Sequence, residues 1–132
     1  LRKYQGLKLE QISQRTVDLS RDIRKVQEIL FNNPKTEFIL VTIAEEMGLQ
    51  ITADLAKFLE KLGVNYNYIV ANFINPASRC SFCLAKRINQ EEYLKQIKIQ
   101  YPSKKLILVP LLPYDVRGVE SLNEFSKIIY QK

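Results

Sequence analysis

The sequence predicts an α/β domain in which at least three parallel strands are flanked by helices. Short apolar runs rich in β-branched and aromatic residues alternate with longer stretches whose apolar residues recur at helical spacing. The apolar runs are nearly continuous, which is typical of strands covered on both faces. A strand, a helix and a second strand in that order form a βαβ unit, with parallel strands and a right-handed crossover.

A long amphipathic helix is predicted first, over about residues 7 to 32. Its apolar residues follow heptad spacing, and Thr16 occupies the one position of this spacing that lacks an apolar residue. The helix is expected to end at Asn32-Asn33-Pro34, because proline cannot continue the helical hydrogen bonding. Such a stripe is usually core packing, although in a partner-binding protein it can line a groove. The stripe comprises Leu9, Ile12, Leu19, Ile23, Val26 and Leu30.

The first predicted βαβ unit follows. Residues 36–44 read as a buried strand, and residues 45–48, Glu-Glu-Met-Gly, as a loop at its carboxyl end. Apolar residues at helical spacing from Ile51 to Leu62 mark a helix. Gly63 then stands where a left-handed C-terminal cap belongs. Residues 66–72 are predicted as the second strand.

The remaining elements repeat this alternation. Asn89, with Glu92 three positions later, resembles a capping arrangement, so a helix is predicted from there to Pro102. Residues 106–109 form the third strand, and a loop follows. Ser121 and Glu124 are spaced as a capping box for the last helix. Its predicted inner face is Leu122, Phe125, Ile128 and Ile129.

Ligands of such sheets bind beyond the carboxyl ends of the strands, so the loops at Glu45, Asn72 and Pro110 should share one rim. The amide of Asn72 can both donate to and accept from a purine edge. The loop Pro110-Leu111-Leu112-Pro113 is stiff and apolar, which suits packing against a base. Alternatively, Asn72 merely ends a strand and the prolines merely prevent edge pairing.

The only two cysteines, Cys80 and Cys83, form a C-x-x-C pair. This spacing lets both thiolates bind one metal ion, but structural zinc takes four ligands, and the chain has no histidine and no third cysteine. A two-fold dimer would complete four thiolates. The alternatives are a redox couple and two inert thiols. Redox pairs usually open a helix directly after a strand, and here a loop precedes Cys80.

Composition restricts the function classes. A chain of 132 residues with 46% hydrophobic content can bury one core of ordinary size. The net charge of +6 is spread out, without the basic patch or module that a nucleic-acid-binding protein would show. No membrane span and no signal peptide are predicted. Two cysteines fit a reducing cytoplasm. No glycine-rich phosphate loop is present, so no catalytic residue is assigned.

Several motifs occur together and in a fixed order over about residues 20 to 131, and their combination is specific. The chain resembles the C-terminal part of the ArsA-type ATPases, the family of the arsenite-pump ATPase and of the cytosolic factor that delivers tail-anchored membrane proteins. The motifs are Phe38-Ile-Leu-Val-Thr-Ile-Ala-Glu45, Asn72, Cys80-x-x-Cys83, Gln90 with Tyr93-Leu94-x-Gln96-Ile97, Pro110-Leu-Leu-Pro-Tyr-Asp-Val-Arg117-Gly118, and Phe125-Ser126.

The resemblance implies a P-loop-NTPase-like three-layer sheet and an ATPase that uses ATP or ADP with Mg²⁺. Its phosphate loop would lie upstream of Leu1, so this sequence is expected to be a truncated piece of a longer protein and to be inactive alone. Asn72 and residues 110–113 would hold the adenine, and Cys80 and Cys83 would bind Zn²⁺ shared across a homodimer. Residues 1–33 would end a helical subdomain, and residues 34–132 would be the C-terminal βαβ portion.

Implied partners are tail-anchored membrane proteins or a membrane pump subunit. Glu46, Gln50 and Ala53 replace the aromatic and acidic receptor surface of eukaryotic members, which suggests a prokaryotic, archaeal-like member. Met47 is the single methionine and no cysteines match the pump's metalloid site, so neither client nor arsenite binding has support in this piece. The competing hypothesis is a non-enzymatic α/β interaction domain with an incidental C-x-x-C.

Overall fold

The computed structural model describes residues 2–31 and 36–130, with side chains from residue 12 onward. The chain divides into two compact units, Leu1–Thr36 and Glu37–Lys132. The elements in chain order are α1 (Arg2–Phe31), β1 (Phe38–Ile43), α2 (Glu46–Lys61), β2 (Tyr66–Ile74), α3 (Ser81–Gln100), β3 (Lys105–Pro110) and α4 (Gly118–Tyr130).

The first unit is the helix α1. It begins at Arg2, several residues before the predicted start, because the apolar period that predicts a helix only begins at Leu9. The predicted end at Asn32-Asn33-Pro34 lies outside the described residues. Within this unit the described positions of the heptad stripe, from Ile12 to Leu30, are exposed.

The second unit contains one parallel sheet in the order β1-β2-β3. Both crossovers therefore move along the sheet in the same direction, and α2 and α3 pack beside each other against β1 and β2. Helix α4 packs on β3 from the other face, where Ile128 and Ile129 line a cavity of about 590 Å³ with Ile39 and Tyr68. These contacts confirm the predicted α/β class with parallel strands flanked by helices.

The core lies between the sheet and the layer formed by α2 and α3. Leu40 on β1 and Ile69 on β2 are register partners, and both are buried. The helices cover them with Ala56 and Leu59 from α2, and Leu94 and Ile97 from α3.

The outer face of β1 differs from the prediction of strands covered on both sides. Ile39 and Val41 are 53% and 63% exposed, and Ile43 is 37% exposed. Within residues 37–130, α4 lies over β3, which leaves this face of β1 uncovered. Apolar composition predicted burial on both faces, but composition does not show how far one helix reaches.

The predicted loop after β1 is wrong for Glu46, Met47 and Gly48, which form the first turn of α2. Gly48 is in this turn for a steric reason. A Cβ at Gly48 would collide with the carbonyl oxygen of Ile43 and lie 2.8 Å from the Cγ1 of Ile43. The glycine therefore lets α2 approach β1 closely, and its presence does not mark a loop.

The end of α2 matches the prediction. Gly63 has φ +69°, in the left-handed region where glycine has no Cβ penalty. Its N–H donates to the carbonyl of Glu60 at 3.0 Å, and the N–H of Val64 donates to the carbonyl of Leu59 at 2.9 Å. This pair of bonds is the Schellman motif, and the buried side chains of Leu59 and Val64 complete it.

Helix α3 begins at Ser81, eight residues before the predicted start at Asn89. Its buried residues are Gln90, Leu94 and Ile97, all beyond its first two turns. The first two turns carry exposed side chains, so no one-sided apolar pattern shows that they are helical.

Helix α4 also begins earlier than predicted. It starts at Gly118, whose φ of +78° permits a sharp entry from the preceding loop, so Ser121 and Glu124 lie inside the helix rather than at its cap. Of the predicted inner face, Phe125, Ile128 and Ile129 are half-buried and Leu122 is 55% exposed.

Among the described residues, none of the helices combines the length and the apolar character needed to cross a bilayer.

Candidate functional site

The loops after β2 and β3 meet at the carboxyl edge of the sheet. Ile74 pairs with Pro110, and the N–H of Leu111 donates to the carbonyl of Ile74 at 2.8 Å. Asn72 pairs with Ile43 at the end of β1. The end of β2 therefore lies between the ends of its two neighbours, with the proline loop fixed to it by backbone pairing.

The segment after β1 joins the same edge through α3. The Nζ of Lys86 lies 3.7 Å from the Oε1 of Glu45. Both side chains are about half exposed, so this pair contributes little to stability, about 0–1 kcal/mol. We call these three segments the rim: Glu45, residues 72–75 and residues 110–113. They share one edge of the sheet, as expected for parallel strands.

A β-bulge shapes the centre of the rim. The register of β2 on β3 shifts between Ala71 and Ile74, so β2 has one more residue than β3 over this stretch. Phe73 takes up the extra residue with φ +57°, a left-handed conformation that costs a non-glycine residue about 1–2 kcal/mol. Bulges of this kind redirect the neighbouring side chain, here that of Asn72.

Asn72 is half-buried at the bulge. Its Oδ1 accepts the N–H of Phe73 at 2.9 Å, which supports the left-handed turn locally. An amide oxygen has two lone pairs and the amide nitrogen two hydrogens, so Asn72 keeps an acceptor and donors for a further partner. The hydrogen-bonding capacity predicted from the sequence is thus retained after this internal bond.

The bulge is held from α3 by Gln90, which is only 7% exposed. Its Nε2 donates to the carbonyl of Phe73 at 3.0 Å. Its Oε1 accepts the backbone N–H of Asn75 at 2.9 Å and the Nδ2 of Asn75 at 3.3 Å. One buried amide therefore satisfies backbone groups on both sides of Ile74, which a distorted strand end would otherwise leave unpaired.

Arg87 makes a second attachment one turn earlier on α3. Its Nη1 donates to the carbonyl of Asn75 at 3.0 Å, while its Nε contacts Glu91 at 3.2 Å. Sequence reasoning named Gln90 only as part of a family motif and did not predict its contacts with the end of β2. Gln90 did carry a signal, since it stands four and seven residues before the buried Leu94 and Ile97, at a core position where an apolar residue is usual.

The proline loop has a mixed surface. Leu111 is 45% exposed and Leu112 half-buried, and Pro110 is half-buried beside Ile74. Exposed apolar side chains on the same edge of the sheet as an amide with remaining hydrogen-bonding capacity suit a purine ring, which offers a flat face for apolar contact and a polar edge for hydrogen bonds.

The thiol pair, Cys80 and Cys83, lies at the amino end of α3. Cys80 is the N-cap residue and is exposed, and Cys83 is half-buried in the first turn. Residues 75–79 separate the pair from β2, as the sequence indicated, but the pair does open a helix. The argument that this C-x-x-C differs from helix-opening redox pairs was therefore wrong in that respect.

The two thiols influence each other. The backbone N–H of Cys83 and then its thiol, both donating to the Cys80 sulfur, lower the pKa of Cys80. The same contact with the Cys80 sulfur is the main cause that raises the pKa of Cys83. Cys80 is therefore the more readily ionised thiol. Two sulfurs in contact on an exposed helix end are suited to bind one soft metal ion together.

Within residues 2–31 and 36–130 there is no group of three or more His, Cys, Asp or Glu side chains arranged to hold a metal. The described part of one chain therefore offers two sulfur donors at this position, which is half of a tetrahedral thiolate shell.

Comparison with known proteins identifies the family. The sequence model of the family described as anion-transporting ATPase, the ArsA ATPases, matches residues 2–131. The chain belongs to the ArsA-type ATPase family. The resemblance predicted from the motifs is confirmed by this match.

Curated relatives agree with the ArsA assignment. The ATPase get3 of Schizosaccharomyces japonicus is 34% identical over 102 residues, covering 75% of this chain and 32% of that protein. Those of Neurospora crassa and Chaetomium globosum are each 32% identical over 127 residues, covering 94% of this chain and 38% and 37% of those proteins. The chain thus spans about a third to two fifths of the length of these fungal relatives, and the suggested prokaryotic origin stays a prediction.

Proposed function

We propose that this chain is the C-terminal part of a dimeric ArsA-type ATPase that binds ATP or ADP with Mg²⁺. In this proposal Asn72 reads the adenine edge, and Pro110-Leu111-Leu112-Pro113 forms the wall against which the base packs. ATP binding and hydrolysis in the whole protein would drive delivery of tail-anchored membrane proteins or anion export. The protein would act in the cytoplasm.

The observation that supports the adenine site is the backbone pairing at the rim. The N–H of Leu111 donates to the carbonyl of Ile74, which lies only two residues beyond Asn72. The amide residue proposed to recognise the adenine edge is therefore close in space to the apolar loop proposed to contact its ring. Aromatic bases are usually bound in this way, by apolar contact on the ring face and a few polar groups on the edge.

The hydrolytic groups would come from a preceding segment. In this arrangement residues 1–33 close a helical subdomain, and residues 34–132 complete the P-loop-NTPase-like sheet. The uncovered outer face of β1 is consistent with that arrangement, because exposed apolar strand faces in such sheets are normally covered. We expect the 132-residue chain alone to show no ATP turnover, and measurable turnover that co-purifies with the chain would contradict this assignment.

The zinc clasp is the second part of the proposal. Cys80 and Cys83 of two copies would supply four thiolates to one Zn²⁺, joining the copies across a two-fold axis. The exposed position of Cys80 at the start of α3 and the contact between the two thiols support this role.

Metal analysis of the purified dimer tests the clasp. We expect about half an equivalent of zinc per chain, because one ion is shared by two copies. Changing Cys80 and Cys83 to serine should abolish zinc binding and weaken dimerisation, measured by sedimentation. The matched control is Ser81→Ala, which alters a neighbouring side chain and keeps both thiols. In the full-length protein, where a preceding segment would cover the outer face of β1, a dimer that persists without zinc in the cysteine variant would favour the non-enzymatic interaction domain.

Reading the upstream coding sequence tests the nucleotide part. A G-K-G-G-V-G-K-[ST] type phosphate loop should precede Leu1, since backbone N–H groups of such a loop bind the phosphates. A complete upstream sequence without any phosphate loop would overturn the ATPase assignment of this protein.

A further inference from the structure

We propose that Gln90 is a positioning residue for adenine recognition, which it serves by holding the Phe73 bulge that orients Asn72. The proposal rests on the proposed function of Asn72 and deepens it. Gln90 itself would not touch the nucleotide. It would determine whether the amide of Asn72 is presented in the orientation that a base requires.

The argument begins with the strain at Phe73. A non-glycine residue at φ +57° reverts to an ordinary strand conformation unless its surroundings hold it. The bond from Phe73 N–H to Asn72 Oδ1 is local and exposed, so water can replace it. The bonds from Gln90 are made by a side chain that is more than nine-tenths buried, where water competes poorly.

A glutamine is required for this arrangement. The Phe73 carbonyl needs a donor, while the N–H and Nδ2 of Asn75 need an acceptor. Among side chains of this length, only an uncharged primary amide offers both at one end. Methionine would fill the same space with neither function, and it provides a conservative test.

The helix that carries Gln90 is a firm support. Leu94 and Ile97 of the same face are buried in the core, at 8% and 2% exposure. Arg87, on the preceding turn, donates a hydrogen bond to the Asn75 carbonyl. Two side chains of α3 therefore hold this segment. The position of the bulge is therefore fixed relative to the core by α3 as well as by its own strand.

The test compares two ligands in the full-length protein. ADP engages the base contacts and the phosphate contacts, whereas inorganic tripolyphosphate engages only the latter. We expect Gln90→Met to weaken ADP binding about tenfold, the size expected for losing one good hydrogen bond, and tripolyphosphate binding less than twofold. A merely structural role for Gln90 would weaken both ligands alike. Gln100→Met, an exposed glutamine at the end of α3, is the matched control and should change neither.

A double-mutant cycle with Asn72→Ala decides whether Gln90 acts through Asn72. If it does, Gln90→Met should add less than a twofold loss of ADP affinity to Asn72→Ala, because the group being positioned is already gone. Additive losses would overturn the proposal. If Asn72→Ala leaves ADP affinity unchanged, the proposed function of Asn72 fails, and Gln90 has no base contact to position. If Asn72→Ala weakens ADP binding and Gln90→Met does not, the positioning role alone fails.

Amide hydrogen exchange distinguishes a local effect at the bulge from general unfolding of the variant. In the 132-residue chain, Gln90→Met should increase amide hydrogen exchange at Asn75 and Phe73 while leaving the core strand residue Ile69 protected. Arg87→Met removes the second attachment without burying an apolar group in place of an amide, and should weaken ADP binding in the same direction. Unchanged exchange at Asn75 in Gln90→Met would contradict the proposal.

Discussion

At the scale of single residues, one glycine in α2 and one just beyond its end show different reasons for the same residue type. Gly48 has an ordinary helical position but no room for a Cβ beside Ile43. Gly63 has open space around it and a φ of +69°. The first is needed for a close approach between helix and strand, and the second for a backbone conformation.

Alanine substitution should separate these two causes. We expect Gly48→Ala to lower the free energy of unfolding by about 1–3 kcal/mol, because the overlap with the Ile43 backbone exceeds the gain in helix propensity. Gly63→Ala should cost about 1 kcal/mol, the strain of a left-handed alanine. Urea denaturation measures both. Gln50→Ala on the exposed side of α2 is the control, with a change below about 0.5 kcal/mol.

The thiol pair also allows a prediction at this scale. Because the pKa of Cys80 is lowered and that of Cys83 raised, Cys80 holds more thiolate at any pH below its ordinary value of 9.0. Iodoacetamide should therefore modify the Cys83→Ser variant faster than the Cys80→Ser variant. The rate of the former should level off at a lower pH. Equal rates and equal pH profiles would show that the helix start does not favour Cys80.

At the scale of elements, α3 combines three tasks along its length. Its first turn carries the thiol pair, its middle holds the rim through Lys86, Arg87 and Gln90, and its second half packs in the core. A helix with different surroundings at each turn has no uniform apolar face, which explains why its start was not predicted.

Paired truncations within α3 should reveal this division. Leu94→Ala removes a side chain that is 8% exposed and should cost about 2–5 kcal/mol, through lost burial and the cavity left behind. Ile88→Ala removes one that is 53% exposed and should cost less than about 1 kcal/mol. Thermal unfolding of both variants is the measurement. Equal costs would indicate that the first turns of α3 are packed as firmly as the last.

At the scale of the whole molecule, the outer face of β1 is an uncovered apolar surface of the second unit. Ile39, Val41 and Ile43 are exposed on an edge strand, the arrangement most prone to association.

We therefore expect the 132-residue chain to self-associate reversibly in the Cys80→Ser, Cys83→Ser background, where the thiol pair cannot contribute. Val41→Lys should weaken this association by at least tenfold, because a charge on the face cannot be desolvated cheaply. Sedimentation velocity over a concentration series measures it. Ser78→Lys, which adds the same charge on an exposed loop, should leave association unchanged. A chain that stays monomeric at all concentrations would show that this face needs no cover.

The sequence by itself determined the alternation of strands and helices, the left-handed cap at Gly63 and the family. Each of these has a signal within the sequence: the alternation in the hydrophobic periods, the cap in a glycine that tolerates a left-handed conformation, and the family in an ordered set of motifs. The candidate residues Asn72, Cys80, Cys83 and 110–113 were likewise named from sequence, and their roles stay predictions.

Only the tertiary structure decided where α3 and α4 begin, why Gly48 is a glycine, and that β1 has one open face. It alone brought Gln90 to Phe73 and Asn75, 17 and 15 positions away. The physical reason is that strand register and helix docking join residues distant in the chain. In the sequence a buried glutamine looks like any other polar residue, because the backbone groups to which it hydrogen-bonds are known only from the tertiary structure.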